Sequence, residues 1–511
     1  MREIPAELKA EMEQYEKAQK EETSKKKIKQ PTSYKDLEGK LTELGIRERE
    51  AREETVGKGK NEQTIKPRLE QLEVAKILKS YLRFCLFNLE EGTRLALYLP
   101  FEGVYTQNET LIKRCVFYLE DTLTERQAED VIYKITNLSI VKEKTNSRYL
   151  IPVNNGVFNL KEKKLEPFSP DYVFTSKIAT NYNENAKLEA YDGWNVEDWL
   201  KDLSTGEDDL NTLLWQVMSA SMNGNFTRKK SIWLYGEGST GKGTFQALIT
   251  NLVGKKNVAT LKVNQFSERF ALPMLEEKVC CIGDDVPAHV YIDDSSNFNS
   301  VITGDAVRIE QKNKPAYSTE FNMTVIQSTN GLPRVHNTTE GTYRRFLIVQ
   351  FKQTFKGDSD NWNIKNDYIK RKSVLEYVLQ KAINMDFEKF IEPKSSELLM
   401  NQYRIDNDPV RYFKVSVFDH FESTRIPVYL LYQYYLDFCD ENKYKYMTSR
   451  NFINAFERIL DEDWDKKKAK IGNFFKEPYL PNQFDKNKSL EKPEKDKSYT
   501  CFINTRIELV S

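Results

Sequence analysis

Residues Gly236 to Thr244 read GEGSTGKGT and follow the apolar run Ile232, Trp233, Leu234, Tyr235. A strand running into a glycine loop of this spacing predicts a phosphate-binding loop. Backbone N–H groups can curl around a polyphosphate only where no Cβ intervenes, which is the task of Gly236, Gly238 and Gly241, with Ser239 and Thr240 between them. Lys242 is placed to bring a point charge to the β and γ oxygens, and Phe245, Ala247, Leu248 and Ile249 open a helix whose N-terminus faces the anion. One position departs from the pattern. The residue after the lysine, usually a Ser or Thr that ligates Mg²⁺, is Gly243, and Thr244 next to it is the candidate for that task.

Further parts of a nucleotide-hydrolysing site follow in order. Val279, Cys280, Cys281, Ile282 and Gly283 read as a buried strand ending in Asp284 and Asp285. Paired carboxylates there suit a held metal and a polarised water, with Asp284 assigned to the metal and Asp285 to the water. The bland alternative is a strand with an acidic exit turn. A third strand, Phe321 to Thr329, ends in Asn330 ahead of Gly331, Leu332 and Pro333. An amide there can position water or sense a γ-phosphate, although Asn before Gly is most often a turn. Arg344 and Arg345 precede the apolar run Phe346 to Val349 and are candidates for a charge supplied to a neighbouring subunit's phosphate. Their alternative is a surface pair salt-bridged at a strand start.

The set GEGSTGKGTF, CCIGDDVP, VIQSTNGLP and YRRFLIVQF resembles the superfamily 3 helicases of the AAA+ class, and most closely the poxvirus and phage primase-helicases. The resemblance extends to Ile302 through Phe321, similar to the hairpin that these helicases place before the sensor strand. It implies that hairpin tips in a ring grip one DNA strand through Lys312, with Lys314 second. It also implies ATP and Mg²⁺ as cofactors, a hexameric ring with single-stranded DNA in its channel, and 3′-to-5′ travel. The segment from Tyr149 to Leu160, with Pro167 to Pro170 and Thr175 to Lys177, is similar to the domain preceding the phage-type core.

The rest of the chain must carry these parts. At 511 residues it exceeds one domain. Lys plus Arg and Asp plus Glu are both 77, so nothing in the net charge attracts nucleic acid, and any grip must come from local clusters. No apolar run is long enough to span a bilayer, and Met1 to Pro5 does not begin a secretory signal, so a soluble, cytoplasmic protein is expected. Six cysteines without a C-x-x-C pair and the scattered His289, His336 and His420 make a zinc site unexpected. With no clustered carboxylate pair near the start, the reading is a helicase without its own primase.

Four regions are expected. Residues 1–70 are mixed-charge, disordered or helical, and Lys25 to Lys29 is either a basic arm or a solvated run. Residues 71–195 form an α+β N-terminal domain, with helical spacing from Leu72 to Leu86 where the folded part begins. Residues 196–405 hold a helical collar, with Trp199, Leu200, Leu203, Leu213, Leu214, Trp215 and Met218 at helical spacing, and the AAA+ P-loop core. Residues 406–511 form a winged-helix domain: one helix through Val428, Leu431, Tyr432, Tyr435 and Phe438, a second beginning near Ser449 as N-cap, and a basic hairpin. Arg450 would meet duplex bases or phosphates, and Lys466, Lys467 and Lys468 the backbone, at an origin.

The fold class is therefore α/β and multidomain. The function expected is a hexameric, ATP-dependent DNA helicase and replication initiator of a phage, plasmid or pathogenicity island, with host replication proteins as possible partners and no membrane partner. Two alternatives stay open: a small-molecule phosphotransferase, and a nucleotide-switched DNA-binding regulator with little turnover, to which Gly243 gives some weight.

Overall fold

The protein is described by a computed structural model covering residues 29–56, 63–288, 290–292, 294–312, 315–335, 340–357, 360–442, 444–473 and 493–508. Lys314, His289, His336 and the stretch from Lys25 to Ile28 lie outside these residues.

Two helices, α1 (Tyr34–Glu50) and α2 (Gln71–Tyr81), precede a sheet of order β3-β2-β1-β4 built from β1 (Phe84–Leu86), β2 (Ala96–Leu99), β3 (Val104–Thr106) and β4 (Ile140–Val141). Between β3 and β4 run α3 (Glu109–Leu119) and α4 (Glu125–Leu138). The folded part begins earlier than the helical spacing after Gln71 suggests. Leu37, Leu41 and Leu44, spaced i, i+4 and i+7 among charged residues, bury the inner face of α1 against α3. Gly45 allows this approach, since a Cβ there would lie 2.0 Å from Leu119 O. The carboxylate of buried Glu120 locks the contact by accepting from Arg49 Nη1 at 3.1 Å and Leu69 N at 3.0 Å. A meander of β5 (Leu150–Val153), β6 (Gly156–Asn159) and β7 (Lys164–Glu166) follows, with Asn154 and Asn155 in its first turn.

Next come α5 (Val196–Leu203) and α6 (Asp208–Ser221), and then the central sheet. Its strands are β8 (Ser231–Tyr235), β9 (Val258–Ala259), β10 (Cys280–Val286), β13 (Thr324–Thr329) and β14 (Phe346–Gln350), all parallel, in the order β9-β10-β13-β8-β14. Helix α7 (Lys242–Val253) follows β8, while α8 (Ser296–Thr303) and the antiparallel hairpin β11 (Val307–Ile309) and β12 (Tyr317–Thr319) lie between β10 and β13. After β14 come α9 (Trp362–Asn366), α10 (Lys372–Ile383) and α11 (Lys394–Asn407).

Strand side chains alternate between two cores. Ile232, Leu234, Cys280, Ile326, Leu347 and Val349 pack with α5, α6, α7 and α10, while Trp233, Cys281, Val325 and Ile348 pack with α8 and the hairpin base. Burial on both faces explains why these segments read as continuous apolar runs. The apolar stripe of the expected helical collar fills the first of these cores: Trp199, Leu200, Leu203, Leu213, Leu214, Trp215 and Met218 are buried within their own chain.

The last region runs α12 (Pro409–Ser416), β15 (Arg425–Pro427), α13 (Val428–Glu441), α14 (Ser449–Glu457), β16 (Trp464–Lys470) and β17 (Ser498–Asn504), with an antiparallel sheet of order β15-β17-β16. Leu431, Tyr435 and Phe438 of α13 and Phe452 and Phe456 of α14 share one aromatic core. Thr448, not Ser449, occupies the N-cap position of α14, and its side chain makes no capping bond. No helix among the described residues is long and apolar enough to cross a membrane.

Gly283, inside β10, marks a packing constraint. A Cβ there would lie 2.4 Å from Gln327 Oε1, whose buried amide accepts from Val263 N at 2.8 Å and donates to Leu261 O at 3.1 Å. Gly283→Ala is expected to destabilise the core by about 1–3 kcal/mol through overpacking. A lowered midpoint in denaturant unfolding followed by tryptophan fluorescence checks this.

Candidate active site

The phosphate loop leaves β8 at Tyr235 and enters α7 at Lys242. Ser239 and Gly241 adopt left-handed backbone, at φ 60 and 88, and Gly241 takes the N-cap position of α7. A Cβ on Gly241 would clash with Leu203 at 2.6 Å, and one on Gly236 with Phe351 O at 2.4 Å. Glycine is thus required at both places by close packing, and at Gly241 by conformation as well. The segment after β14 braces the loop, Phe351 N donating to Tyr235 O and Phe355 N to Ser239 O, each at 2.8 Å.

Lys242 Nζ donates to Gly236 O at 2.6 Å, Glu237 O at 2.7 Å and Asn330 Oδ1 at 3.1 Å. The lysine of the loop and the amide ending β13 are therefore in direct contact, which joins two of the sequence-derived candidates. Burial pushes the Lys242 ammonium below its ordinary value, and the nearby Asp284 and Asp285 carboxylates pull it back. Gly238 is open, Thr240 Oγ1 donates to Glu237 O at 3.0 Å, and Gly243 and Thr244 form the first turn of α7.

Asp284 and Asp285 are exposed at the end of β10 where its pairing with β13 slips between Gly283 and Val286. Asp285 has φ 50, so the bulge turns two successive carboxylates out of the ladder. Ser328 stitches this irregular backbone to β13. Its hydroxyl donates to Asp284 Oδ1 at 2.7 Å and accepts from Asp285 N at 3.0 Å. Lys262 Nζ donates to Asp285 O at 2.8 Å. Neither Ser328 nor Lys262 was evident from the sequence, because no spacing rule predicts a hydrogen bond across a bulge. Position within the QSTN tetrapeptide is the only signal for Ser328.

Arg344 and Arg345 lie elsewhere. They precede β14, whose Phe346 pairs with Ser231 at the start of β8, whereas the loop begins after Tyr235 at the other end. The five residues of β8 separate the two ends by about 17 Å at a strand's rise per residue. Arg344 is exposed. Arg345 Nη1 donates to Gly341 O at 2.7 Å, and burial, with Arg344 adding repulsion, lowers its guanidinium below the usual value. The hairpin sits at that same far end, since β12 leads into the first residue of β13. Lys312 is exposed in its turn, and Val307 and Ile309 are buried at its base.

The hairpin's foot is tied to the N-terminal region. Arg94 Nη2 donates to Glu276 Oε1 at 2.6 Å and its guanidinium lies 5.1 Å from the Tyr317 ring centre, while the Tyr317 hydroxyl donates to Glu276. In the C-terminal region Arg450 is exposed on α14, and Lys466, Lys467 and Lys468 are exposed on β16. Lys466 pairs with Glu457 at 2.6 Å and Lys467 with Asp465 at 2.5 Å. Such exposed pairs are weak and exchange readily for another anion.

If the bulge geometry controls turnover, Ser328→Ala should lower kcat for nucleotide hydrolysis about 10- to 100-fold, as losing a group that orients a site's carboxylates generally does. Nucleotide affinity should change little. Steady-state kinetics beside equilibrium binding checks the split.

Three families match separate stretches of the chain: "D5 N terminal like" at residues 48–204, a family of unknown function (DUF5906) at 234–345, and "Poxvirus D5 protein-like" at 405–502. Among solved structures, an A-form apo structure of the NrS-1 C-terminal region covers 79% of this chain and 97% of its own at 11% identity, with TM-score 0.45. A second apo structure of that region covers 79% and 97% at 12% identity, with TM-score 0.43. The D5-type matches stand on both sides of the phosphate loop, and over these stretches the chain is similar to the poxvirus D5-like superfamily 3 helicases, which are ATP-hydrolysing enzymes.

Proposed function

We propose that this chain is a hexameric, ATP-driven DNA helicase that recognises and opens the replication origin of a mobile element. The observation that carries the reading is the division of the central sheet between its two ends. Lys242, Asn330, Asp284 and Asp285 meet at one end, and Arg345 and the Lys312 hairpin stand at the other. An arginine about a strand's length from its own phosphate loop is out of its reach, and as a phosphate ligand it would serve a neighbour's loop, which a head-to-tail ring provides.

The site suits a magnesium nucleotide. The loop has glycine where a Cβ would collide, its lysine is held over the phosphate position by loop carbonyls, and two carboxylates face it. In this reading Gly236, Gly238, Ser239, Thr240, Gly241, Gly243 and Thr244 form the cradle and Lys242 neutralises the phosphates. Asp284, with Thr244, would hold Mg²⁺, which would supply positive charge to offset that of the phosphates. Asp285 polarises the attacking water, and Asn330, in contact with Lys242, reports whether a γ-phosphate is present. Arg345, with Arg344 beside it, stabilises charge developing on the neighbour's γ-phosphate. Motion of β13 relative to β10 is passed to the hairpin through the short link of residues 320–323 between β12 and β13, and Lys312 then carries a DNA phosphate along the channel.

Residues 409–504 are read as a winged helix that holds duplex DNA. Supporting this, the order is helix, strand, helix, helix, strand, strand, with β17 between β15 and β16. Arg450, Asn451 and Asn454 are exposed on α14 opposite its buried Phe452 and Phe456. The regions proposed are 1–70, 71–195, 196–405 and 406–511, with α1 packed onto the second.

Arg345→Ala should reduce DNA-stimulated ATP turnover about 10³- to 10⁵-fold. Mixing it with Lys242→Ala subunits should restore part of the rate, at interfaces where an intact Lys242 meets an intact Arg345. Mixed rings as inactive as either parent would exclude action across subunits. Lys312→Ala should keep basal turnover and lose the response to single-stranded DNA, and an unchanged response would sink the hairpin's role. Removing Lys467 and Lys468 together should flatten the salt dependence of duplex binding by about 0.9 in log–log slope per lysine that contacts a phosphate.

A further inference from the structure

The residue after Lys242 has no side chain, and the surroundings of that position are unusual. A Cβ on Gly243 would have one neighbour within 4 Å, the ammonium Nζ of Lys365 at 3.6 Å. Lys365 belongs to α9, beyond the end of β14. It is exposed and makes no hydrogen bond or ion pair among the described residues.

Its placement follows from the fold. The chain leaving β14 is fastened along the phosphate loop by the Phe351 and Phe355 amides, and the Phe355 ring comes within 3.4 Å of where a Gly241 Cβ would stand. Beyond α9, Asn251 Nδ2 of α7 donates to Ile369 O at 3.1 Å, and Tyr368 and Ile369 are buried. The short helix is thus held by the phosphate loop on one side and by α7 on the other, with Lys365 over the first turn of α7. That turn carries unpaired N–H groups and the positive end of the helix dipole, so it repels a cation unless an anion lies between them.

We propose that Lys365 is a second phosphate-binding lysine of the ATP site, occupying the space left by the missing Ser or Thr side chain at Gly243. This rests on reading residues 236–244 as the nucleotide site. A hydroxyl at that position would contribute to ATP binding through Mg²⁺. An ammonium contributes directly to the phosphate oxygens, whether or not the metal is present. The chain therefore holds the triphosphate between two lysines, Lys242 from the loop and Lys365 from α9, and its affinity for ATP is less dependent on Mg²⁺ than that of a loop with a hydroxyl there. Gly243 and Lys365 are complementary: a Cβ at 243 would already touch the ammonium at 3.6 Å, and its absence leaves the way from the ammonium to the first turn open.

The test is equilibrium titration of the full-length protein with a fluorescent ribose-labelled ATP, in Mg²⁺ and in EDTA. Lys365→Ala should weaken binding about tenfold in EDTA, the worth of one ionic hydrogen bond, and less in Mg²⁺, while Lys365→Arg stays near wild type. Gly243→Ser combined with Lys365→Ala should recover affinity in Mg²⁺ alone. If Lys365→Ala binds as wild type does in EDTA, or loses affinity equally in both conditions, the inference is overturned. Lys242→Ala separates the two levels of argument. If it binds as tightly as wild type, the nucleotide-site reading itself fails; if it weakens binding while Lys365→Ala does not, only the second lysine is lost.

Discussion

A parallel sheet buried on both faces has only the ends of its strands available for chemistry, and this constraint organises the central region. The apolar strand side chains are divided between two cores, so polar groups that must meet solvent or ligand gather at the strand ends and in the turns. Because the strands run the same way, all the turns that follow strands lie together. Loop, acids and amide come from three separate strands, yet each lies at or just beyond the C-terminal end of its strand, and adjacency in the sheet brings those ends together. What precedes the strands, the arginine pair and the hairpin, is forced to the opposite end by the same geometry.

Within that site, burial and charge oppose one another. Lys242 is partly desolvated, which disfavours its ammonium, and is held by carbonyl and amide oxygens with the two carboxylates nearby. The carboxylates remain exposed because a bulge lifts them out of the ladder, and Ser328 and Lys262 fix the altered backbone. A regular strand would have turned one of the two aspartates into a core. Left-handed backbone occurs at Asp285, Ser239 and Gly241 around the phosphate position, where surrounding bonds balance the local strain.

The far end of the sheet is joined to the N-terminal region by a compact set of polar contacts. Besides the Arg94, Glu276 and Tyr317 cluster, the Glu277 carboxylate accepts from Gln107 N at 2.6 Å and Thr106 Oγ1 at 3.0 Å. Burial raises Glu277 above the ordinary carboxylate range despite those two bonds. The hairpin is thus mounted on a foot built from two regions, and its conformation is coupled to the position of the N-terminal sheet as well as to β13.

The sequence by itself determined the strands of the core, because apolar runs bounded by glycine, aspartate and asparagine have few other solutions, and it determined the phosphate loop, because glycine spacing there answers a steric demand within nine residues. Lys242, Asp284, Asp285 and Asn330 were legible for the same reason: each sits at a fixed offset from its strand. Tertiary structure decided what depends on contacts between distant segments. It packed the apolar stripe of residues 199–218 into the chain's own core, since periodicity marks an apolar face without naming what covers it. It folded α1 onto α3, where three leucines among many charges gave too weak a signal. It brought Ser328 to the bulge and Lys365 to Gly243, because a hydrogen bond or a close approach between remote residues leaves no period in the sequence and arises only when the sheet places them side by side.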